Sequence, residues 1–376
     1  MGNGKKEPRP VPDTLTSRNQ NIEPIKDGPI VSDNEFKTVN PLDDPNWDDR
    51  VLSSGSHCVF HTRAWAQTLS QSYGFEPMYL TRMRGSQFDV LVPLMHVHSW
   101  VTGRRGVSLP FSDYCEWLAP SNEIEKIFLR LRETGVLHRW QYLEVRHDLH
   151  WPEVTPASEI LWRHELDLKK TPLALWEGLR SEVRTAIRKA QACGVEVRFT
   201  RTLEDLHEFF RIHLLTRRKQ GIPPQPWNFF EKVYHNILMP GLGEIGIAHR
   251  KGVNLATAVY FNFGSSALFK YGASDPHVHD FRGNNALMWA AILRYAQKGY
   301  KTLSMGRTDA AHHGLRHYKL GWGCRESPLD YFRYDYRLKK FTTKPVTHTG
   351  WVRVLLRQAP LPLLKMAGTW LYPHRS

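Results

Sequence analysis

Twice along this chain a helical stretch is followed by a hairpin, a strand, a helix and a further strand. An order of elements used twice constrains the fold more than any single residue, because it describes one α/β module laid down in duplicate. In the first half, Trp65, Leu69 and Tyr73 recur at i, i+4 and i+8, which predicts a helix over 62–73 stopped by Gly74. A hairpin over 77–84 and 88–98 turns at Gly85-Ser86. A strand near 106–109, a helix over 124–134 and strands over 142–146 and 162–167 complete that half. The second half starts with a long helix over 172–193, then a strand over 195–199 and helices over 203–220 and 226–238. A hairpin of 244–250 with 254–263, a strand over 267–273, a helix over 285–298 and strands over 302–305 and 329–334 follow. The expected class is α/β (α+β), two tandem domains each with a mixed sheet flanked by helices.

The expected boundaries are a disordered, proline-punctuated tail over 1–34, domains over 35–165 and 166–336, and a basic extension over 337–376. The formal charge of +14 invites a nucleic-acid reading. Its distribution argues against DNA. Residues 337–376 carry eight Lys or Arg and no carboxylate, whereas 1–34 are neutral, leaving about six positive charges for the body. No run of eighteen uncharged apolar residues predicts a transmembrane helix, and no secretory h-region is visible at the N-terminus. Cys58, Cys115, Cys193 and Cys324 lie far apart, which fits a reducing cytoplasm.

Three segments can carry chemistry. Arg180, Arg184 and Arg188 are four apart, so one helix face would present guanidinium groups able to grip phosphate, or a solvated basic face. Gly283-Asn284-Asn285 opens a helix after a polar loop, and free amides at a helix start attract anions. An ordinary asparagine cap would read the same. In the third, a strand ends on Gly306 and a basic, glycine-rich loop runs from Arg307 to Gly323. There Lys319 is a candidate for a phosphate contact and Tyr318 for a proton relay. Three histidines between 312 and 317 have no zinc spacing, so no metal is expected. No P-loop, HExxH or Ser/His/Asp order appears.

In this order the segments resemble the FemAB-like branch of the Gcn5-related N-acetyltransferase (GNAT) superfamily over most of 35–335. The likeness is carried by Phe60-His61-Thr62-Arg63-Ala64-Trp65, Leu91-Val92-Pro93-Leu94, Ser108-Leu109-Pro110-Phe111 and Arg184 to Ala190. Thr216-Arg217-Arg218-Lys219-Gln220-Gly221, Gly283 to Leu287, Met305-Gly306-Arg307-Thr308 and Tyr318 to Gly323 extend it. The resemblance implies two GNAT folds with a groove between them and direct attack of an amine or hydroxyl on an acyl donor. Gly283, Asn284 and Asn285 would then cradle the pyrophosphate of acetyl-CoA or another acyl-CoA. Arg184, Arg188, Arg217, Arg307 and Lys319 would contact phosphate of donor or acceptor; Tyr318, Lys319 and Asp309 are the catalytic candidates, with the base open between Asp309, Tyr318 and a histidine of the 312–317 loop. The GNAT loop pattern Arg/Gln-x-x-Gly-x-Gly/Ala is not met, since Asp280 and Asn285 occupy its ends. The coiled-coil arm of some tRNA-dependent members is missing too.

The reading that follows is an acyltransferase acting on a lipid- or nucleotide-linked saccharide of the cell envelope or of an exopolysaccharide. The alternatives are an aminoacyl-tRNA-dependent transferase on a peptidoglycan precursor, and a catalytically silent module in a synthesis complex. In the tail, aromatic and basic residues alternate on two short helices broken by Pro360 and Pro362. Residues 346–376 are therefore expected either to touch the inner face of the cytoplasmic membrane or to pack back on the domains.

Overall fold

A computed structural model describes residues 36–55, 57–147, 157–343 and 350–375. The tail expected over 1–34 lies outside the described residues. In the first half come β1 (Lys37–Val39), α1 (Trp47–Ser53), α2 (Arg63–Tyr73), β2 (Glu76–Pro77), β3 (Tyr79–Arg84) and β4 (Gln87–Val92). They are followed by β5 (Met95–Ser99), β6 (Gly103–Ser108), α3 (Ile124–Leu137) and β7 (Tyr142–Val145). The second half begins with β8 (Glu159–Asp167), α4 (Pro172–Glu177), α5 (Ser181–Ala192), β9 (Glu196–Thr200), α6 (Leu203–Gln220) and α7 (Trp227–Val233). Then come β10 (Gly243–Arg250), β11 (Val253–Phe263), β12 (Ser266–Ser274), α8 (Gly283–Gln297) and β13 (Thr302–Asp309). It ends with α9 (His313–Leu320), β14 (Arg325–Asp335) and β15 (Lys340–Phe341), before α10 (Gly350–Gln358) and α11 (Leu361–Leu371).

The fold is mixed α/β, and the duplicated order has a duplicated geometry. In the first half β6 and β7 are parallel with α3 between them; in the second, β12 and β13 are parallel with α8 between them. A strand–helix–strand crossover is the connection that parallel neighbours require. Antiparallel ladders surround both pairs. One strand joins the halves: β14 pairs with β8 over Arg325–Tyr331 and with β7 over Phe332–Asp335. A single sheet thus runs from β2 to β9, with β1, β3 and β4 in a smaller one. The core is shared as well. Trp65 of α2 is fully buried and lies about 6 Å from Phe229 of α7, edge-on, and from Phe261 of β11, tilted.

Several expected elements differ. The helix expected over 172–193 is two helices, because Gly178 closes α4 and Arg180 is extended, its amide donating to Gly321 O at 3.0 Å. The hairpin strand expected over 88–98 is cut at Pro93-Leu94, so that β4 and β5 belong to different sheets. The strand expected to end at Gly306 continues to Asp309: a bulge between Ser304 and Arg307 absorbs Gly306 at φ 67°.

Candidate active site

β12 and β13 pair only at Ser266–Leu268 with Thr302–Ser304, then part. The bulge in β13 turns the strand away, so a wedge opens between the two parallel strands towards their C-terminal ends. On one side of this region lies a cavity of about 790 Å³, bounded by α5, the end of β12, the start of α8 and α9. Gly283, Asn284 and Asn285 line it, as does Tyr318. The amides of Gly283 and Asn284 have no intrahelical acceptor by helix geometry, whereas the Asn285 amide donates to Arg282 O at 2.9 Å, and Arg282 at the N-cap supplies no side-chain bond. Gly283 is fixed by packing: a Cβ there would stand 2.8 Å from the Leu255 Cβ, so the helix start sits directly on β11. Lys189 and Arg282 bring positive charge to the same cavity, against one carboxylate, Glu182, and His279 and His317 line it too. The arrangement suits a phosphate-bearing ligand. At the equivalent place in the first half, Glu123 already stands at the start of α3, held by Arg82 at 2.6 Å.

α9 has two working neighbours. Tyr318 borders the cavity, and burial pushes its phenol up to about 12. Lys319, the next residue, is 5% exposed and donates from Nζ to Arg307 O at 3.0 Å. Burial lowers its ammonium to about 8, with Asp113 opposing the drop. Lys319 thus borders a charged cluster in the wedge. There Lys270 of β12 donates to Asp113 Oδ2 at 2.9 Å and to Phe111 O at 2.7 Å. Asp113 comes from the first half and lies so close to β13 that a Cβ on Gly306 would be 3.2 Å from its carboxyl. Burial alone would raise the Asp113 pKa, but Lys270 outweighs it and holds the carboxyl below its ordinary value. The Tyr331 ring lies between Arg146 and Arg307, 5.5 and 5.0 Å from their guanidinium carbons, and its hydroxyl donates to Asp113 O. Arg146 ties down the same loop by donating to Leu109 O and Ser112 O while paired with Glu144 at 2.7 Å. A second cavity of about 310 Å³ begins beside Arg146, lined also by Tyr114, Arg163 and Ser327.

The residues expected from sequence are distributed unevenly over this geometry. Gly283, Asn284, Asn285 and Tyr318 share the large cavity; Lys319 and Arg307 share the wedge. Arg184 and Arg188 do not line the cavity. Arg184 donates to Glu177 O at 3.2 Å, and Arg188 lies over the Trp176 ring at 5.4 Å. The face of α5 that does line it carries Glu182, Thr185, Ala186 and Lys189. Arg217, late in α6, bonds His213 and Gln220. Asp309 is exposed at the end of β13 and accepts from Ala311 N at 2.9 Å. Among the histidines, His312 caps α9 through Leu315 N and His317 meets Arg180 Nη1 at 2.8 Å. Asp113 and Lys270 were not anticipated. A lysine inside the apolar run Ala267–Ala273 was the available signal for the second, and Asp113 lies two residues beyond Ser108-Leu109-Pro110-Phe111.

Comparisons with known proteins agree with this fold. Residues 178–323 match the model of an acetyltransferase (GNAT) domain, and 105–237 match that of the FemAB family. No curated protein sequence matches. Among solved structures, the crystal structure of FemX superposes with a TM-score of 0.63 at 14% identity, covering 79% of this chain and 96% of that one. The C-terminal domain of a putative lysylphosphatidylglycerol synthetase from Agrobacterium fabrum gives 0.50 at 12% identity, with 77% and 90% covered. At these identities the likeness is one of fold.

Proposed function

We propose that this chain, a FemAB-like protein of the GNAT superfamily, transfers an acyl group from acyl-CoA to an amine or hydroxyl of a lipid- or nucleotide-linked cell-envelope or exopolysaccharide precursor at the inner face of the cytoplasmic membrane. The carrying observation is the pair on α9: Tyr318 on the donor-sized cavity and Lys319 on the charged wedge. The donor's phosphates lie at the start of α8, against Gly283, Asn284 and Asn285. The acceptor enters the wedge, where Asp113 takes a hydrogen bond from the attacking group. An ion-paired carboxylate is a weak base, so Asp113 orients the nucleophile and takes its proton once the tetrahedral adduct has made that proton acidic. As the carbon–sulfur bond breaks, the Tyr318 phenol protonates the leaving thiolate and is reprotonated from solvent. Lys319 and Arg307 hold acceptor phosphate.

Calorimetric titration of the purified protein with acetyl-CoA tests the donor. Binding is expected for the native chain and is lost in Gly283→Val, whose side chain collides with Leu255 and displaces the amides at the helix start. Transfer from charged tRNA, without acyl-CoA binding, would support the aminoacyl reading, for which the departures at Asp280 and Asn285 speak. No binding of either donor would leave the silent module.

Lys319 gives the proposal a pH signature. A cation that grips phosphate is lost as pH rises through its pKa, so kcat/KM should fall above about 8. Lys319→Arg keeps its charge and should remove that alkaline limb. A rise in rate through pH 8 would mean that the neutral amine acts instead.

A further inference from the structure

The C-terminal helices pack back on the fold with one face only. α11 buries Leu364 and Gly368, and Tyr372 just beyond its end continues the stripe; Gly368 abuts Pro224 O, and the Tyr372 hydroxyl donates to Pro223 O at 3.2 Å. α10 lies against α6, its Arg353 carbonyl touching Gly221, yet buries no residue of its own. The other face of both helices is apolar. Trp351, Val354 and Leu355 on α10, and Leu363, Met366 and Trp370 on α11, are each 53–69% exposed.

A distant segment adds to the same surface. Trp100, at the turn between β5 and β6, is 79% exposed, and its ring meets His374 edge-on at 5.4 Å; His374 in turn meets Trp370 at 5.7 Å. The C-terminal end is fastened to that hairpin, since Arg105 donates to His374 O at 2.9 Å and Ser99 bonds the His374 ring. Exposed tryptophans from two distant parts of the chain therefore flank one histidine. Clustered, exposed large apolar side chains commonly mark an interaction surface.

Its charge selects an occupant. Arg353, Arg357, Lys365 and Arg375 are exposed around the apolar stripes, and none is ion-paired among the described residues. No carboxylate occurs anywhere in 337–376. We propose that α10, α11 and the Trp100 turn form a peripheral membrane-docking face for a bilayer that displays anionic headgroups. The tryptophans would sit at headgroup depth and the aliphatic side chains just below it, with the cations on lipid phosphates. The inference stands on this surface alone and does not require the donor chemistry proposed above.

Flotation of the full chain tests it, with vesicles of phosphatidylcholine alone and of phosphatidylcholine mixed with phosphatidylglycerol. The protein is expected to float with the mixed vesicles at low salt and to be released by high salt. Trp351→Ser combined with Trp370→Ser should abolish flotation while the melting transition and acetyl-CoA titration stay as in the native chain. Arg353→Gln and Arg357→Gln should each weaken binding to mixed vesicles about fivefold. Failure of the native chain to float with either vesicle would overturn the proposal. So would a concentration-dependent dimer, seen by sedimentation and dissolved by Trp370→Ser, because the face would then belong to a second copy.

Discussion

Replacing Asp113 by alanine is expected to destabilise the chain by about 3–5 kcal/mol, the usual consequence of stranding one member of a buried ion pair. Lys270, the stranded member, is only 5% exposed at its side chain and keeps one other oxygen partner, Phe111 O. The double variant Asp113→Ala with Lys270→Met should recover much of the loss, since it removes the orphaned charge and leaves an apolar side chain among Phe60, Trp65 and Tyr271. Denaturant unfolding of the four proteins in the cycle measures this. If the double variant is as unstable as Asp113→Ala, the pair is not the source of the loss. The pH dependence has a definite sign. A carboxyl held below its ordinary value stabilises the fold above the unfolded pKa of about 3.9, and the contribution disappears as pH falls through the folded value. Native stability should therefore drop more steeply below about pH 4 than that of the double variant. Transfer should suffer separately: with the orienting carboxylate gone, the stable double variant should lose about a hundredfold in rate.

The second large effect concerns Tyr318. Tyr318→Phe should lower kcat by about 10²–10⁴-fold, the range for removing a general acid, with acyl-CoA affinity nearly unchanged because the ring remains in place. A phenol pushed up to about 12 stays protonated throughout the working range, so it contributes no alkaline limb of its own. The fall above pH 8 assigned to Lys319 should consequently persist in Tyr318→Phe and vanish in Lys319→Arg. Pre-steady-state measurement of CoA release separates the cases. A variant that binds donor weakly but turns over at the native rate when saturated would show that Tyr318 serves binding only.

Local signals made much of the fold legible in the sequence. The periodicity of Trp65, Leu69 and Tyr73, and the glycines at 74, 194, 221 and 299, mark helix ends that the backbone does adopt, with Gly74 and Gly221 left-handed at their caps. The repeated order reappears as two parallel pairs, because a strand–helix–strand segment of this length has few other ways to close. What stayed hidden is what depends on distance along the chain. Asp113 and Lys270 are 157 residues apart, and no periodicity links them. The four-residue spacing of Arg184 and Arg188 correctly describes a shared helix face, but spacing cannot tell which neighbour that face meets. Trp176 and the Glu177 carbonyl take it, and the cavity receives the other side of α5. The break at Arg180 was obscured because helix-forming residues surround it, while the bond that holds it extended comes from Gly321.

The strand shared by both halves has a bearing on how the protein is made. β7 is finished early in synthesis, yet its partner β14 lies some 180 residues further on. A ribosome moving at about 5–20 residues per second would complete that stretch in roughly ten to forty seconds. For that interval the nascent first half carries a bare sheet edge, the kind of surface that invites pairing with another chain. Its architecture is closed by one of the last strands to emerge, so the two halves finish folding together rather than in turn.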